Sequence, residues 1–133
     1  MGSLGTPHVL TVCGSLGEAS ANRSLLNVVS RVLVKSGAQV TDDKLLESTP
    51  PLRPDLVDEP GDSVATFRQQ IAAADAVIFA APEYEGSLAG TIKNALDWVV
   101  GSGELYEKPV GMLSAGTSGG PMARQALVRT LLW

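Results

Sequence analysis

Residues 75–98 read DAVIFAAPEYEGSLAGTIKNALDW, and this stretch decides the fold. Ala76 to Ala81 is an unbroken apolar run, the pattern of a central parallel strand covered on both faces. It stops at Pro82, in a loop with two acids flanking a tyrosine, followed by Gly86 and Gly90. From Thr91 to Val100 the apolar residues Ile92, Ala95, Leu96 and Val99 recur at helical spacing, so strand, bare loop and helix follow one another.

The same unit repeats on either side. His8 to Cys13 reads as a strand that runs into the loop Gly14–Ala21. A helix begins at about Asn22, a residue suited to capping, and presents Leu25, Leu26, Val29, Val32 and Leu33 on one face. Gly37 suits a left-handed helix end. Gln39 to Leu46 is a more polar strand, as expected at a sheet edge. Pro50, Pro51, Pro54 and Pro60 mark a long loop, and Asp62 or Ser63 caps a second helix that buries Val64, Phe67, Ile71 and Ala74. Pro109 to Leu113 is a fourth strand, followed by SAGTSGG at 114–120 and a helix from Pro121. Strands alternating with helices predict a parallel sheet with helices on both faces.

Bulk properties narrow the function. The 133 residues, 44% hydrophobic with 14 glycines, fit one soluble α/β domain, expected over residues 8–133 after a disordered leader at 1–7. A net charge of −4, with ten scattered Lys and Arg, argues against nucleic-acid binding. Cys13 is the single cysteine, which leaves no disulfide framework and no thiolate metal site; no metal is expected, and the setting reads as cytoplasmic. No apolar run reaches membrane-spanning length, so no membrane partner is expected. The opening MGSLGT fits the loose N-myristoylation pattern, but so short a match also describes a glycine-rich leader, and lipidation is set aside.

In open parallel sheets, ligands bind outside the carboxyl ends of the strands. Three such loops here are rich in Gly and Ser: 14–21, 82–90 and 114–120. The first precedes a helix N-terminus, whose unpaired N–H groups favour an anion, with Ser15, Ser20 and Asn22 as neutral donors around it. It also reads as a plain strand-to-helix turn. In the second loop Tyr84 offers an aromatic face, and Gly86 and Gly90 let backbone approach a ring. Glu83 and Glu85 also read there as solvated loop charges. The bare backbone at three neighbouring points suits a flat or anionic ligand.

Three segments, GSLGEASAN at 14–22, DAVIFAAPEYEGSLAGTIKNALDW at 75–98 and KPVGMLSAGTSGG at 108–120, together resemble the NADPH-dependent FMN reductase family. These are flavodoxin-like proteins that include flavin, quinone, azo-dye and chromate reductases. The resemblance covers the chain from His8 onward and implies a doubly wound parallel sheet of order 2-1-3-4. It implies FMN as cofactor, NADPH or NADH as electron donor and a small-molecule acceptor, in a homodimer or homotetramer. Ser15, Ser20 and Asn22 match residues that hold the FMN phosphate, and Gly17 lies among them. Pro82, Glu83, Tyr84, Glu85, Gly86 and Ser87 match the loop along the isoalloxazine edge. Ser114, Gly116, Thr117, Ser118 and Gly119 match the loop beside the ribityl chain and ring. Lys93, Asn94 and Asp97 match a helix where they serve structure or a subunit interface. No side chain is expected to act as acid or base, because the flavin carries the reaction. An FMN-binding electron carrier without nicotinamide activity, and a non-catalytic remnant, are the competing readings.

The chain departs from the family pattern at four places. Gly17 stands where the family carries an arginine, which removes a phosphate-binding cation. Glu85 replaces a common asparagine and Ala89 a common proline. The usual fifth strand and helix do not follow, so the fourth strand is expected as an uncovered edge that lowers stability and invites association.

Overall fold

The computed structural model describes residues 5–132, so residues 1–4 of the expected leader lie outside the described residues. In chain order the elements are β1 (His8–Cys13), α1 (Ala21–Lys35), β2 (Gln39–Asp42), α2 (Asp62–Ala73), β3 (Ala76–Ala80), β4 (Glu83–Tyr84), β5 (Ser87–Leu88), α3 (Gly90–Val100), β6 (Val110–Leu113) and α4 (Pro121–Leu131). Four strands form a parallel sheet in the order β2-β1-β3-β6, the flavodoxin-like arrangement expected from the alternation. The chain winds outward from β1 in both directions, so the switch point lies between β1 and β3, where their carboxyl-terminal residues Cys13 and Ala80 pair.

The two faces of the sheet are covered unequally. Leu10, Val12, Val77 and Phe79 pack with Phe67 and Ile71 of α2, Ile92, Leu96 and Val99 of α3, and Leu127 of α4. On the other face α1 sets Leu26 against Cys13 and Ala80, with Ile78 and Leu113 only partly covered. Among the described residues β6 pairs with β3 alone.

Several boundaries move for local reasons. β2 ends at Asp42 rather than Leu46, because the Asp43 carboxylate accepts the Leu46 N–H at 3.0 Å and turns the chain into a short 3-10 helix at Leu46–Ser48. Ser20, not Asn22, caps α1: its hydroxyl accepts the Arg23 N–H at 3.2 Å. Asn22 is the second residue of the helix and is buried. Val32 faces solvent at 58% exposure, so the buried stripe of α1 is narrower than its apolar spacing implies. Gly37 takes φ +97° beyond the end of α1, as its position required. Gly61, at φ +87°, precedes α2 and leaves Asp62 in the first turn, where the helix dipole favours an anion.

The proline-rich loop is fastened to α3. Asn94 accepts the Leu52 N–H at 3.0 Å and donates to the Pro50 carbonyl at 2.8 Å. The Trp98 indole N–H donates to the same carbonyl at 2.7 Å. Arg68 of α2 completes the tie, donating to the carbonyls of Trp98 and Val57. Asn94 is therefore structural, while Lys93 and Asp97 form an exposed i,i+4 ion pair of the kind that adds a few tenths of a kcal/mol. Lys108 places its ammonium on the Ile71 carbonyl at the end of α2, the favourable sign for that helix end.

Candidate functional site

The three Gly/Ser loops meet side by side at the carboxyl end of the sheet. The first is seated by Gly14, whose N–H donates to the Ala80 carbonyl at 2.8 Å and whose own carbonyl accepts from the Thr91 hydroxyl at 2.8 Å. A β-carbon at Gly14 would lie 2.4 Å from Ile92, so only glycine lets the loop rest on α3. Beyond it, Leu16 to Ala19 are exposed, with Ser15 and Ser20 half-buried at either end. Ser20 spends its oxygen on the cap, which leaves its hydroxyl proton free to donate to a ligand.

The charges behind this loop are already paired. The Arg23 guanidinium contacts both oxygens of Asp42 at 2.9 Å, Lys44 contacts Asp42 at 2.5 Å, and the Thr11 hydroxyl donates to it at 3.0 Å. Burial opposes the charge of Asp42, but the bonds from Lys44, Arg23 and Thr11 outweigh it and hold this carboxyl below the ordinary range. The stability it contributes is present above the unfolded pKa and is lost as pH falls through the folded value. Asp43 differs. Burial raises its pKa, and one carboxylate oxygen has no partner. The fold therefore favours its protonated form more than the unfolded chain does, so stability is greatest below the unfolded pKa and falls as pH rises through the raised value.

The second loop is a hairpin, which the sequence analysis read as loop. β4 and β5 pair antiparallel, with Glu83 opposite Leu88 and Tyr84 opposite Ser87. The two turn residues, Glu85 and Gly86, have φ +49° and +69°, the signs of a type I′ turn. Asparagine tolerates that conformation and glutamate does not, which gives the asparagine common in the family a backbone reason. Glu85→Asn should therefore stabilise the protein by about 0.5–1 kcal/mol, raising Tm by a few degrees. A calorimetric scan in which Tm stays level or falls would contradict this. Pro82 is buried at the base of the hairpin, whereas Tyr84, Glu85, Gly86 and Ser87 are exposed at its tip.

The third loop, 114–120, is held at both ends by side chains from the other two. Asn22 accepts the Ala115 N–H at 2.9 Å. Glu83 accepts from Met122 at 2.7 Å and Ala123 at 3.0 Å, so it caps α4 from a distant part of the chain. Helix α4 needs this, because its own N-cap is Gly120, which has φ +63° and no side chain. Glu83 is thus not a solvated loop charge. Gly120 is fixed twice over, since a β-carbon there would lie 2.4 Å from the Ser114 hydroxyl oxygen, itself buried without a partner. Gly116, Thr117 and Ser118 are exposed on the outer surface of the loop, and Gly119 is half-buried at its end.

These residues fit a flat, phosphorylated ligand. A β-carbon at Gly17, Gly86 or Gly119 would meet nothing within 4 Å, and one at Gly116 only the Ser114 hydroxyl oxygen at 3.9 Å, so bare backbone faces open space in all three loops. A separate groove of about 500 Å³, lined by Val99, Tyr106, Lys108, Val110 and Leu131, lies by the amino end of β6. Parallel sheets bind ligands at the opposite end of their strands, and this groove is mostly apolar.

A parallel sheet of order β2-β1-β3-β6 with bare loops at its carboxyl end is a flavodoxin-like fold. The sequence profile of the family "NADPH-dependent FMN reductase" matches residues 7–133, and the chain belongs to that family. It is 35% identical over 123 residues to an NAD(P)H:quinone oxidoreductase of Solanum tuberosum, covering 81% of this chain and 58% of that protein. It is 33% identical over 135 residues to a quinone reductase of Pseudomonas putida, covering 94% of this chain and 69% of the other. Among solved structures, the flavoenzyme NAD(P)H:(acceptor) oxidoreductase FerB of Paracoccus denitrificans superposes with a TM-score of 0.85 at 28% identity, covering 96% of this chain and 71% of that one. The matches span 46–58% of the length of the Oryza sativa and Solanum tuberosum quinone oxidoreductases.

Proposed function

We propose that this chain binds FMN along the rim formed by the three loops and passes electrons from NADPH or NADH to a small acceptor of the quinone or flavin class. The observation that carries this is the juxtaposition of three bare loops at the carboxyl end of the sheet, with open space in front of Gly17, Gly86 and Gly119. Family membership and the names of the relatives support it.

Bound FMN supplies the hydride and electron transfer chemistry. The chain's part is binding and orientation. Ser15, Gly17 and Ser20, with Asn22 behind them, would receive the phosphate at the N-terminus of α1, where the helix dipole favours negative charge. Pro82 to Ser87 would lie along the ring, with the hairpin limiting water access from that side. Ser114, Gly116, Thr117, Ser118 and Gly119 would follow the ribityl chain and offer N–H groups to negative charge on the reduced ring. No side chain is assigned a proton.

Assembly into a homodimer or homotetramer belongs to the same reading, supported by Tyr106 and Leu132, each 80% exposed. So does a cytoplasmic setting, in which the free, buried Cys13 stays reduced. Among the described residues no helix is long and apolar enough to cross a membrane. Titration of FMN with the purified protein tests the binding step. Saturable quenching of flavin fluorescence at one FMN per chain is expected, and no quenching up to high-micromolar protein would overturn the reading.

A further inference from the structure

We infer that the Glu83 side chain is a positioning group: it acts on the FMN site by clamping the 114–120 loop through α4, and only the backbone of residue 83 lies along the ring. The inference rests on the FMN reading above.

Both ends of the 114–120 loop are held by acceptors from neighbouring loops. Asn22 takes the Ala115 N–H at one end, and Glu83 takes the Met122 and Ala123 N–H groups at the other. The Glu83 oxygen that makes both bonds is committed to α4, and it meets a helix end that its own N-cap glycine leaves bare. Between the two braces the loop has one internal backbone bond, from the Gly119 N–H to the Gly116 carbonyl at 3.0 Å. Glycines at 116, 119 and 120 give it little stiffness of its own. Loss of the Glu83 brace therefore frees the segment that must present N–H groups to the ligand, and an ordered loop then has to be formed at the moment of binding.

Glu83 differs from its neighbour in the hairpin. Glu85 sits in the turn and makes no side-chain bond among the described residues, whereas Glu83, two residues earlier, bridges to another element. A carboxylate beside the flavin would act through its charge, while one spent on a helix end acts through its geometry.

The test compares Glu83→Ala and Glu83→Gln with the unmodified protein, each loaded with FMN, well below its melting temperature and with folding checked by far-UV circular dichroism. Glutamine keeps an oxygen that can accept both N–H groups. Glu83→Ala should weaken FMN binding by about tenfold, the scale of one charge-assisted bond, and Glu83→Gln by no more than about threefold. The midpoint potential of the bound flavin should be unchanged in the glutamine variant. An alanine variant that melts earlier yet binds FMN with unaltered affinity would show a structural role only. A potential displaced by glutamine would place the carboxylate's charge at the ring. Either result overturns the proposal. If alanine abolishes folding, the glutamine variant's affinity and potential still decide. Failure of the unmodified protein to bind FMN would instead overturn the reading on which this rests.

Discussion

Replacing Gly17 by arginine should tighten FMN binding by about tenfold at low salt, with the gain shrinking as salt rises. The FMN phosphate carries close to two negative charges, and among the described residues no free cation stands at the loop that would receive it. Arg23, the nearest candidate in sequence, is committed to both oxygens of Asp42, and Lys44 is bound to the same carboxylate. Glu18 has the wrong sign. A new charge-assisted bond contributes roughly 1.5–3 kcal/mol, reduced by solvent on an exposed loop, and about 1.4 kcal/mol is a factor of ten. Position 17 does not demand a backbone that only glycine adopts: Gly17 does not take a positive φ, and a β-carbon there meets nothing within 4 Å. Titration calorimetry of both forms at low and high salt checks the claim. Equal or weaker binding by the arginine variant at low salt refutes it.

The second large effect concerns Trp98, the largest fully buried side chain. Trp98→Ala should cost about 3–5 kcal/mol, a large share of the roughly 5–15 kcal/mol that holds a domain together. The loss has two parts. A cavity opens where α3 meets the proline-rich loop, and the Pro50 carbonyl loses its 2.7 Å bond from the indole, keeping only that from Asn94. Because that carbonyl anchors the proline-rich loop, the loop should loosen with the core. Trp98→Phe should recover most of the packing but not the bond, and so fall between the two. Urea unfolding gives the answer. The midpoint should fall in the order native, phenylalanine, alanine with little change in slope, and an alanine variant within 1 kcal/mol of the native protein would contradict the assignment.

Sequence patterns specified the sheet well because its signals are local. The run Ala76–Ala81 and the helical spacing in α1, α2 and α3 each report burial along one element, while the strand order came from the family resemblance. The errors sit where side chains act across the fold. Asn22 looks like a cap from its place before a helix, yet its amide reaches residue 115. Glu83 looks like a loop charge, yet it caps a helix that begins 38 residues later, and no spacing rule encodes such a contact. The shortening of β2 depended on one Asp43 bond to Leu46. The hairpin was readable in principle, since Glu-Gly between short apolar residues resembles the Asn-Gly turn signal. Glutamate hid it, being a poor residue for the left-handed conformation that the turn imposes.

The reductase reading stands or falls on one spectrum: the FMN-loaded protein, without oxygen, before and after one equivalent of NADPH, with NADH as a parallel sample. The account predicts loss of the flavin's visible absorbance on adding the reduced dinucleotide and its return on adding a quinone. A yellow protein that neither dinucleotide bleaches would contradict it and make the chain a flavin carrier without nicotinamide activity.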